Sequence, residues 1–180
     1  MRSLAELDTH LDHVRAAPRE TGTVELIVRR PTHDSRDILD EAELDPTHGL
    51  VGDNWFVRGS KRTPDGSANL EQQLTLMNIR AIAAIDGDSE RWPLAGDQFF
   101  VDFDLSAAHL PAGSRIELGE ALLEISAQPH TGCAKFSARF GTDATKWVNT
   151  GVGRELRLRG VNARILRGGI VRRGDSLRRV

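Results

Sequence analysis

Short apolar segments that alternate with polar residues, separated by turn signals about every ten positions, constrain this chain most strongly. In the clearest segment, Phe99, Val101, Phe103 and Leu105 alternate with Phe100, Asp102 and Asp104. A period of two places the first set on a buried face of a β-strand and the second on a mostly wet face. Many such segments and few helical ones predict a mainly β domain. A closed or nearly closed mixed β-barrel with a few short helices is favoured, because closure removes exposed strand edges.

The same pattern predicts further strands along the chain. They are expected over residues 22–30, 38–44, 70–77, 115–118, 121–127, 160–167 and 170–172. In the first of them, Val24, Leu26 and Val28 are expected on one face. Glycine-containing turns are predicted to join the fourth strand to the fifth, and the sixth to the seventh, as hairpins. Asn78 is predicted to cap a short helix.

An amphipathic helix is predicted over residues 3–17. Ser3 and Glu6 have the spacing of a capping box, and the apolar stripe consists of Leu4, Leu7, Leu11 and Val14. We expect this stripe to pack on the body of the protein or on another subunit. Packing on another subunit would form an oligomer through the helix. The chain is thus predicted to divide into an N-terminal helix over residues 1–20 and a barrel domain over residues 21–180.

Composition narrows the classes of protein that need to be considered. The chain has 180 residues and one cysteine, so an intrachain disulfide is impossible. No signal-like segment is present and the apolar runs are too short to span a membrane, so a cytoplasmic protein is expected. The net charge of −2 and the absence of tyrosine argue against a nucleic-acid binder.

The single cysteine lies in the stretch most suggestive of a site, residues 128–136. Pro129 and Gly132 separate a strand that ends near Ala127 from a helix predicted over residues 133–140, with Thr131 as its N-cap. A thiol at a helix start beside Lys135 and His130 would lie near positive potential, which lowers the pKa of Cys133 and makes it a better nucleophile or metal ligand. The alternative is that Cys133 is a small buried hydrophobic residue.

Two other stretches offer polar groups. Residues 49–54 contain two glycines followed by Asp53 and Asn54, which favours a tight turn that presents polar side chains at a strand end. Residues 58–69 are polar and contain Arg58, and they are predicted to form a mobile surface loop beside the site around Cys133. This loop is either an anion-binding rim or a solvated connection. Phosphate-binding loops, zinc-protease histidines, zinc-ribbon cysteines and serine elbows are all missing from the sequence.

An ordered set of motifs carries a resemblance to a known family. It consists of Gly49 to Asp53, Gly96-Asp97, the Leu110 to Gly119 stretch, the lone Cys133, and the Arg159 to Gly169 stretch before Gly174-Asp175. Together they resemble a stand-alone MOSC domain, named for the C-terminal domain of molybdenum-cofactor sulfurases. The resemblance covers roughly residues 22–178 and implies a mixed β-barrel with a cysteine at the mouth of a cleft.

The resemblance implies two kinds of chemistry. In the favoured hypothesis the protein is an oxidoreductase that depends on the molybdenum cofactor (molybdopterin) and acts on N-hydroxylated compounds. In the alternative it is a sulfur carrier, whose Cys133 persulfide is supplied by a separate PLP-dependent cysteine desulfurase and passed to a partner such as a molybdoenzyme. A third hypothesis is a non-catalytic binding module with a structural Cys133.

Site residues follow from the matched motifs and from charge. Cys133 is the expected metal ligand, and Cys133, His130 and Asp53 form the expected catalytic group, in which His130 or Asp53 passes protons. A cofactor phosphate needs Lys or Arg donors. The expected cofactor-binding residues are Lys135, Arg139, Arg58, Arg164, Asn54 and Gly52. Many stand-alone members have Arg and His after the Gly-Asp turn, whereas this chain has Asn54-Trp55, which puts a histidine role there in doubt.

Overall fold

The computed structural model describes all residues, 1–180. Its strands are β1 (Gly22–Arg29), β2 (Asp37–Leu39), β3 (Glu41–Asp45), β4 (Gly49–Leu50), β5 (Leu74–Asn78), β6 (Phe99–Asp102), β7 (Arg115–Leu118), β8 (Ala121–Ile125), β9 (Val161–Arg167), β10 (Gly169–Arg172) and β11 (Ser176–Arg179). The α-helices are α1 (Leu4–Asp8), α2 (Leu11–Arg15), α3 (Trp55–Arg58), α4 (Ile79–Ile85), α5 (Ala134–Phe140), α6 (Thr142–Asn149) and α7 (Val152–Glu155). Two 3₁₀ helices span Leu70–Gln72 and Ser89–Ala95.

Seven strands close into a barrel in the order β1, β11, β7, β8, β9, β5, β6 and back to β1. The β5–β6 pair is parallel and the other barrel pairs are antiparallel, so the barrel is mixed. β2 extends the sheet beside β1, and β10, β3 and β4 form a separate three-stranded sheet. The predicted fold class, a mainly β mixed barrel with a few short helices and a helical N-terminus, is confirmed.

Two apolar clusters lie on opposite sides of the barrel wall. The first is contributed by all seven barrel strands and includes Phe99, Val101, Phe103 and Leu105, as their alternation predicts. The second packs the helices against the outside of the wall and includes Phe100. The face of β6 that was expected to be mostly wet is therefore apolar at Phe100, because the helical layer covers it.

A bulge in β1 changes which residues face the barrel interior. The register with β6 shifts between Val24 and Leu26. Val24 and Ile27 consequently belong to the interior cluster, whereas Val28 belongs to the outer one. The prediction that Val24, Leu26 and Val28 share one face is wrong, since the extra residue of a bulge reverses the alternation.

Three predicted strands also differ in detail. The 38–44 strand is split into β2 and β3, which belong to different sheets. The first residues of the 70–77 strand form a 3₁₀ helix instead, capped by the Asn69 side chain. β10 pairs with β3 and not with β9, because the chain turns away from β9 at Gly168. The backbone passes Leu44 so closely there that a Cβ would lie 2.3 Å from the Leu44 carbonyl oxygen, so the turn needs a glycine. The β7–β8 hairpin and the Asn78 cap are confirmed.

The N-terminal segment forms two short helices where one was predicted. The Ser3–Glu6 capping box is present at the start of α1. Leu7 and Val14 are buried in the outer cluster, so the apolar stripe packs mainly on the body of the same chain. None of the helices is long and apolar enough to cross a membrane.

Candidate functional site

The segment between β8 and α5 brings Cys133 to the start of a helix. Cys133, and not the predicted Thr131, is the N-cap residue of α5, and its carbonyl oxygen accepts a hydrogen bond from Ser137 N at 2.9 Å. Phe136 and Phe140 are four positions apart, a spacing that predicts one shared helix face, and they bury the inner face of this helix. Gly141 ends the helix with a φ of +93°. The side chain of Asn149 accepts a hydrogen bond from the Gly132 N–H (2.8 Å) and donates one to the Gly132 carbonyl (2.9 Å). These two bonds fix the backbone just before Cys133.

The thiol of Cys133 is exposed, so the alternative of a buried structural cysteine is wrong. Partial burial by itself raises the pKa of this thiol. The backbone N–H groups of Phe136 and Lys135 and the positive charge of Arg159 outweigh that effect, and the pKa of Cys133 is lowered from the ordinary thiol value. A lowered pKa increases the thiolate fraction, which is the form that attacks sulfur and binds metals.

Cys133 opens into a cavity of about 830 Å³. We call it the thiol cavity. Its wall is built from residues 30–36 after β1, the turn after β4 together with α3, residues 95–96, His130, residues of α5, and Arg159. The predicted site residues that it brings together are Gly52, Asp53, Asn54, Arg58, His130, Cys133, Lys135 and Arg139. The structure does not bring Arg164 there, because that side chain on β9 pairs with Glu124 on the neighbouring strand β8 at 3.1 Å.

Behind the cavity, one buried aspartate holds two cavity residues. Asp97 Oδ1 lies 2.9 Å from His130 Nε2, and Oδ2 accepts from an Arg159 guanidinium nitrogen at 2.5 Å. Burial alone would raise the pKa of Asp97, but the adjacent Arg159 and His130 more than offset it and hold the pKa at about 2. The carboxylate is therefore ionised throughout the neutral range.

His130 differs from its expected role as a positive neighbour of Cys133. Burial lowers the pKa of His130 and the charge of Arg159 lowers it further, against the opposing effect of Asp97. The ring is therefore neutral near neutral pH. Since an ionised Asp97 can only accept, Nε2 carries the ring proton and Nδ1 is left as a proton acceptor. The expectation that His130 supplies positive potential to the thiol is wrong, and the backbone N–H groups of Phe136 and Lys135 supply it together with Arg159.

Arg159 is the site residue that the sequence analysis missed. Besides Asp97, it donates to the Ala95 carbonyl at 2.8 Å, and its guanidinium carbon lies 4.9 Å from the centre of the Phe136 ring. The matched Arg159 to Gly169 stretch contains three arginines, Arg159, Arg164 and Arg167, and the prediction chose Arg164. The sequence signal for Arg159 was the glycine that follows it, Gly160. Its φ of +102° and its close approach to the Leu76 carbonyl favour a residue without a Cβ, and they bring the start of β9 against β5.

Asp53 is committed to the cavity wall. It is buried, and its two oxygens accept from the Arg30 backbone N–H (2.9 Å), from two nitrogens of the Arg30 side chain (2.9 and 2.8 Å) and from Trp55 N (3.0 Å). These four bonds occupy the lone pairs of the carboxylate. The geometry therefore favours Asp53 as the residue that positions Arg30 and the start of α3. A carboxylate with all its lone pairs occupied cannot accept a further proton without losing one of these bonds, which argues against the predicted role of Asp53 in proton transfer.

The charges around the thiol cavity are unbalanced. Five arginines and one lysine line it, against two aspartates, Asp34 and Asp53. Arg36 donates only to carbonyl oxygens, and burial together with the nearby Arg139 and Arg30 lowers its pKa. Burial and Arg30 likewise lower the pKa of Arg58. Such mutual repulsion between cations indicates a site suited to an anionic group.

The two basic residues on α5 that line the cavity already have hydrogen-bond partners, and only Arg139 is paired with a carboxylate. Lys135 Nζ lies 2.7 Å from His33 Nε2, and Arg139 donates to Asp34 (3.0 Å) and to the Leu94 carbonyl (2.7 Å). The predicted loop begins at Arg58 on the edge of the cavity and has no regular structure from residue 59 to residue 69. Its mobility stays a prediction.

Comparisons with known proteins agree with this fold. A family model for the MOSC domain matches residues 67–178. The structure resembles the YuaD protein from Bacillus subtilis, with 20% identity, a TM-score of 0.62 and coverage of 91% of this chain and 97% of that one. It also resembles YiiM from Escherichia coli (19% identity, TM-score 0.55, coverage 88% and 69%) and YiiM from Geobacillus stearothermophilus (14%, 0.61, 88% and 75%). At these identities the likeness shows the fold alone.

A search of curated proteins finds no match. The MOSC model matches more than half of the chain and includes the Cys133 segment, α5 and the strand that follows Arg159. The chain belongs to the MOSC domain family.

Proposed function

We propose that this protein binds the molybdenum cofactor through Cys133 and acts as an oxidoreductase on N-hydroxylated compounds. The observation that carries the proposal is an exposed thiol with a lowered pKa at the wall of an 830 Å³ cavity that is lined by more cations than carboxylates. Thiolate is a soft ligand suited to molybdenum, and guanidinium groups suit the phosphate of the pterin.

The cavity residues fit such a group. Arg36 and Arg58 have no carboxylate partner and would bind the phosphate, with Lys135 adding charge on the Cys133 side. Asn54 Oδ1 is buried without a hydrogen-bond partner at the same wall, and it would accept from an N–H of the pterin. When bound, the cofactor would supply the redox chemistry at molybdenum.

The protein's own contribution to the reaction would be charge and proton handling. Reduction of an N-hydroxyl group consumes protons as well as electrons, so a relay into the cavity is needed. His130 presents a neutral ring with Nδ1 as acceptor, and the ionised Asp97 behind it would stabilise the ring when a proton is added. Because the pKa of His130 is lowered, the ring would release that proton readily to the substrate.

Metal and pterin analysis tests the proposal. Protein purified from a host that makes the cofactor is expected to carry molybdenum and pterin together, and Cys133→Ala to lose the molybdenum. Ser137→Ala, on the next turn of α5 and with no side-chain bond to the site, serves as the matched control and should keep both. Absence of molybdenum and pterin from the wild-type protein would contradict the proposal.

A sulfur carrier is the second candidate, because the same exposed, acidic thiol suits thiolate attack on sulfane sulfur. In that step the Cys133 thiolate would attack the terminal sulfur of a donor cysteine persulfide. The donor S–S bond breaks, a new S–S bond forms on Cys133, the terminal sulfur keeps its proton, and the donor leaves as a thiolate. No net oxidation occurs, and the donor is a separate PLP-dependent desulfurase.

Mass spectrometry separates the two candidates. After incubation with a cysteine desulfurase, PLP and free cysteine, a carrier gains one sulfur atom on the peptide that contains Cys133, and Cys133→Ala gains none. A gain of sulfur without any molybdenum in the purified protein would favour the carrier over the oxidoreductase.

A further inference from the structure

A second cavity of about 440 Å³ adjoins the thiol cavity and shares His130 with it. It lies between residues 126–131, the end of α6, and α7 with the turn that follows. Its volume is within the range of small-molecule sites. Cys133 does not line it, so the chemistry proposed above leaves it unexplained.

The charge of the second cavity is wholly positive. Arg154 and Arg157 line it, and no Asp or Glu does. The guanidinium of Arg157 donates to the Leu110 carbonyl, and that of Arg154 to the Asn149 carbonyl, so neither meets a carboxylate. Burial alone lowers the pKa of Arg157, with no nearby acid to compensate. A partly buried cation without a counter-ion is costly unless an anion joins it.

The chain turns at Arg157, just after α7 ends, and then forms part of the other wall of the second cavity. The φ of Arg157 is +50°, in the left-handed region that residues with a Cβ seldom adopt. Helices commonly end in this conformation, and Arg157 directly follows Leu156, the C-cap residue of α7. The other wall includes Val148, which gives an apolar surface, and Asn162, which is 2% exposed.

Asn162 also provides a buried acceptor. Its Nδ2 donates to the Gln128 carbonyl at 2.9 Å, which fixes the orientation of the amide, and its Oδ1 has no partner. We propose that the second cavity binds a small organic anion, whose carboxylate or phosphate pairs with Arg154 and Arg157 and whose body lies against Val148. The proposal does not depend on the chemistry at Cys133.

An NMR titration of the isotope-labelled full chain tests the site, with benzoate and phenyl phosphate as probes and benzamide as the uncharged analogue of benzoate. At least one anion should shift the signals of Gln128, Asn149 and Arg157 in a saturable way, and benzamide should not. Arg157→Gln and Arg154→Gln should each weaken that binding by at least about tenfold, which is the expected loss of one charge-assisted hydrogen bond. The exposed Arg167→Gln serves as the matched control and should bind as the wild type does.

The location of the shifts decides the outcome. Saturable shifts that persist in Cys133→Ala and disappear in the two arginine variants support the proposal independently of the molybdenum hypothesis. The proposal is overturned if neither anion binds, if benzamide binds equally well, or if the shifts lie at Arg58 and Arg139 in the thiol cavity instead. Amide spectra of the variants without ligand verify that they are folded.

Discussion

His130 Nε2 lies 2.9 Å from Asp97 Oδ1, on a carboxylate whose other oxygen accepts from Arg159. This contact sets the proton position on a ring that lines both cavities, and the same carboxylate anchors the cation that acidifies Cys133. Asp97 therefore controls the electrostatics of the thiol cavity from behind its wall, without lining it.

The first prediction concerns the tautomer and acidity of His130. Because the pKa of His130 is lowered and Asp97 is ionised, its ring should be neutral near neutral pH, with the proton on Nε2. Nitrogen chemical shifts of the labelled imidazole, followed against pH, report both properties. A midpoint at or above about 6.5, the ordinary histidine value, would be inconsistent with this arrangement.

Acid stability provides a second prediction. The pKa of Asp97 is about 2 in the folded protein and about 3.8 when unperturbed. The stabilisation is therefore present above the unperturbed value and is lost as the pH falls towards 2. From the shift, about 2 kcal/mol of unfolding free energy should be lost over this interval through Asp97 alone.

Urea unfolding at a series of pH values measures the loss. Asp97→Asn should be less stable than the wild type at neutral pH and should show a shallower decline below about pH 4. Asp40→Asn, at a side chain that is 96% exposed, is the control and should follow the wild-type curve. Parallel curves for Asp97→Asn and the wild type would argue against an ionised, paired Asp97.

A third prediction concerns the glycine that follows Arg159. A Cβ at Gly160 would lie 2.2 Å from the Leu76 carbonyl oxygen, at a φ of +102°. Gly160→Ala should therefore destabilise the fold by more than about 2 kcal/mol, from the collision and the backbone strain together. At Gly113 the φ is +85° and nothing lies within 4 Å, so Gly113→Ala isolates the backbone effect and should cost less. Equal losses of unfolding free energy would show that the approach to Leu76 is unimportant.

Local patterns in the sequence predict the barrel well. They predict the site poorly, because the site depends on charge pairs between residues that are far apart in the sequence. The alternation from Phe99 to Leu105 predicts a strand directly, and the four-residue spacing of Phe136 and Phe140 predicts the buried face of α5. The bulge after Val24 and the pairing of β10 with β3 depend on partners that are distant in sequence. A local pattern therefore cannot predict them. The neutral state of His130 follows from its burial and from the charge of Arg159, 29 positions later, against the opposing effect of Asp97. Proximity in sequence to Cys133 had suggested a positive ring instead.

A fourth prediction tests the unpaired cations. If Arg36 and Arg58 bind the cofactor phosphate, each change to Gln should weaken cofactor binding by about tenfold or more, because a charge-assisted hydrogen bond is lost. Arg164→Gln, which removes an arginine that pairs with Glu124 outside the cavity, is the matched control. The pterin content per protein after extensive dialysis measures the effect. Equal retention in all three variants would exclude these two arginines as phosphate ligands.

The acidity of Cys133 tests the central claim most directly. The rate of iodoacetamide alkylation against pH gives the apparent pKa of the thiol in the native protein, and the same protein in denaturant gives its own reference. We predict a native value below the denatured one and below about 8.5, retained in Arg159→Lys and raised in Arg159→Gln. A native value at or above the denatured one would contradict the account of Cys133 as an activated thiol in a cationic cavity.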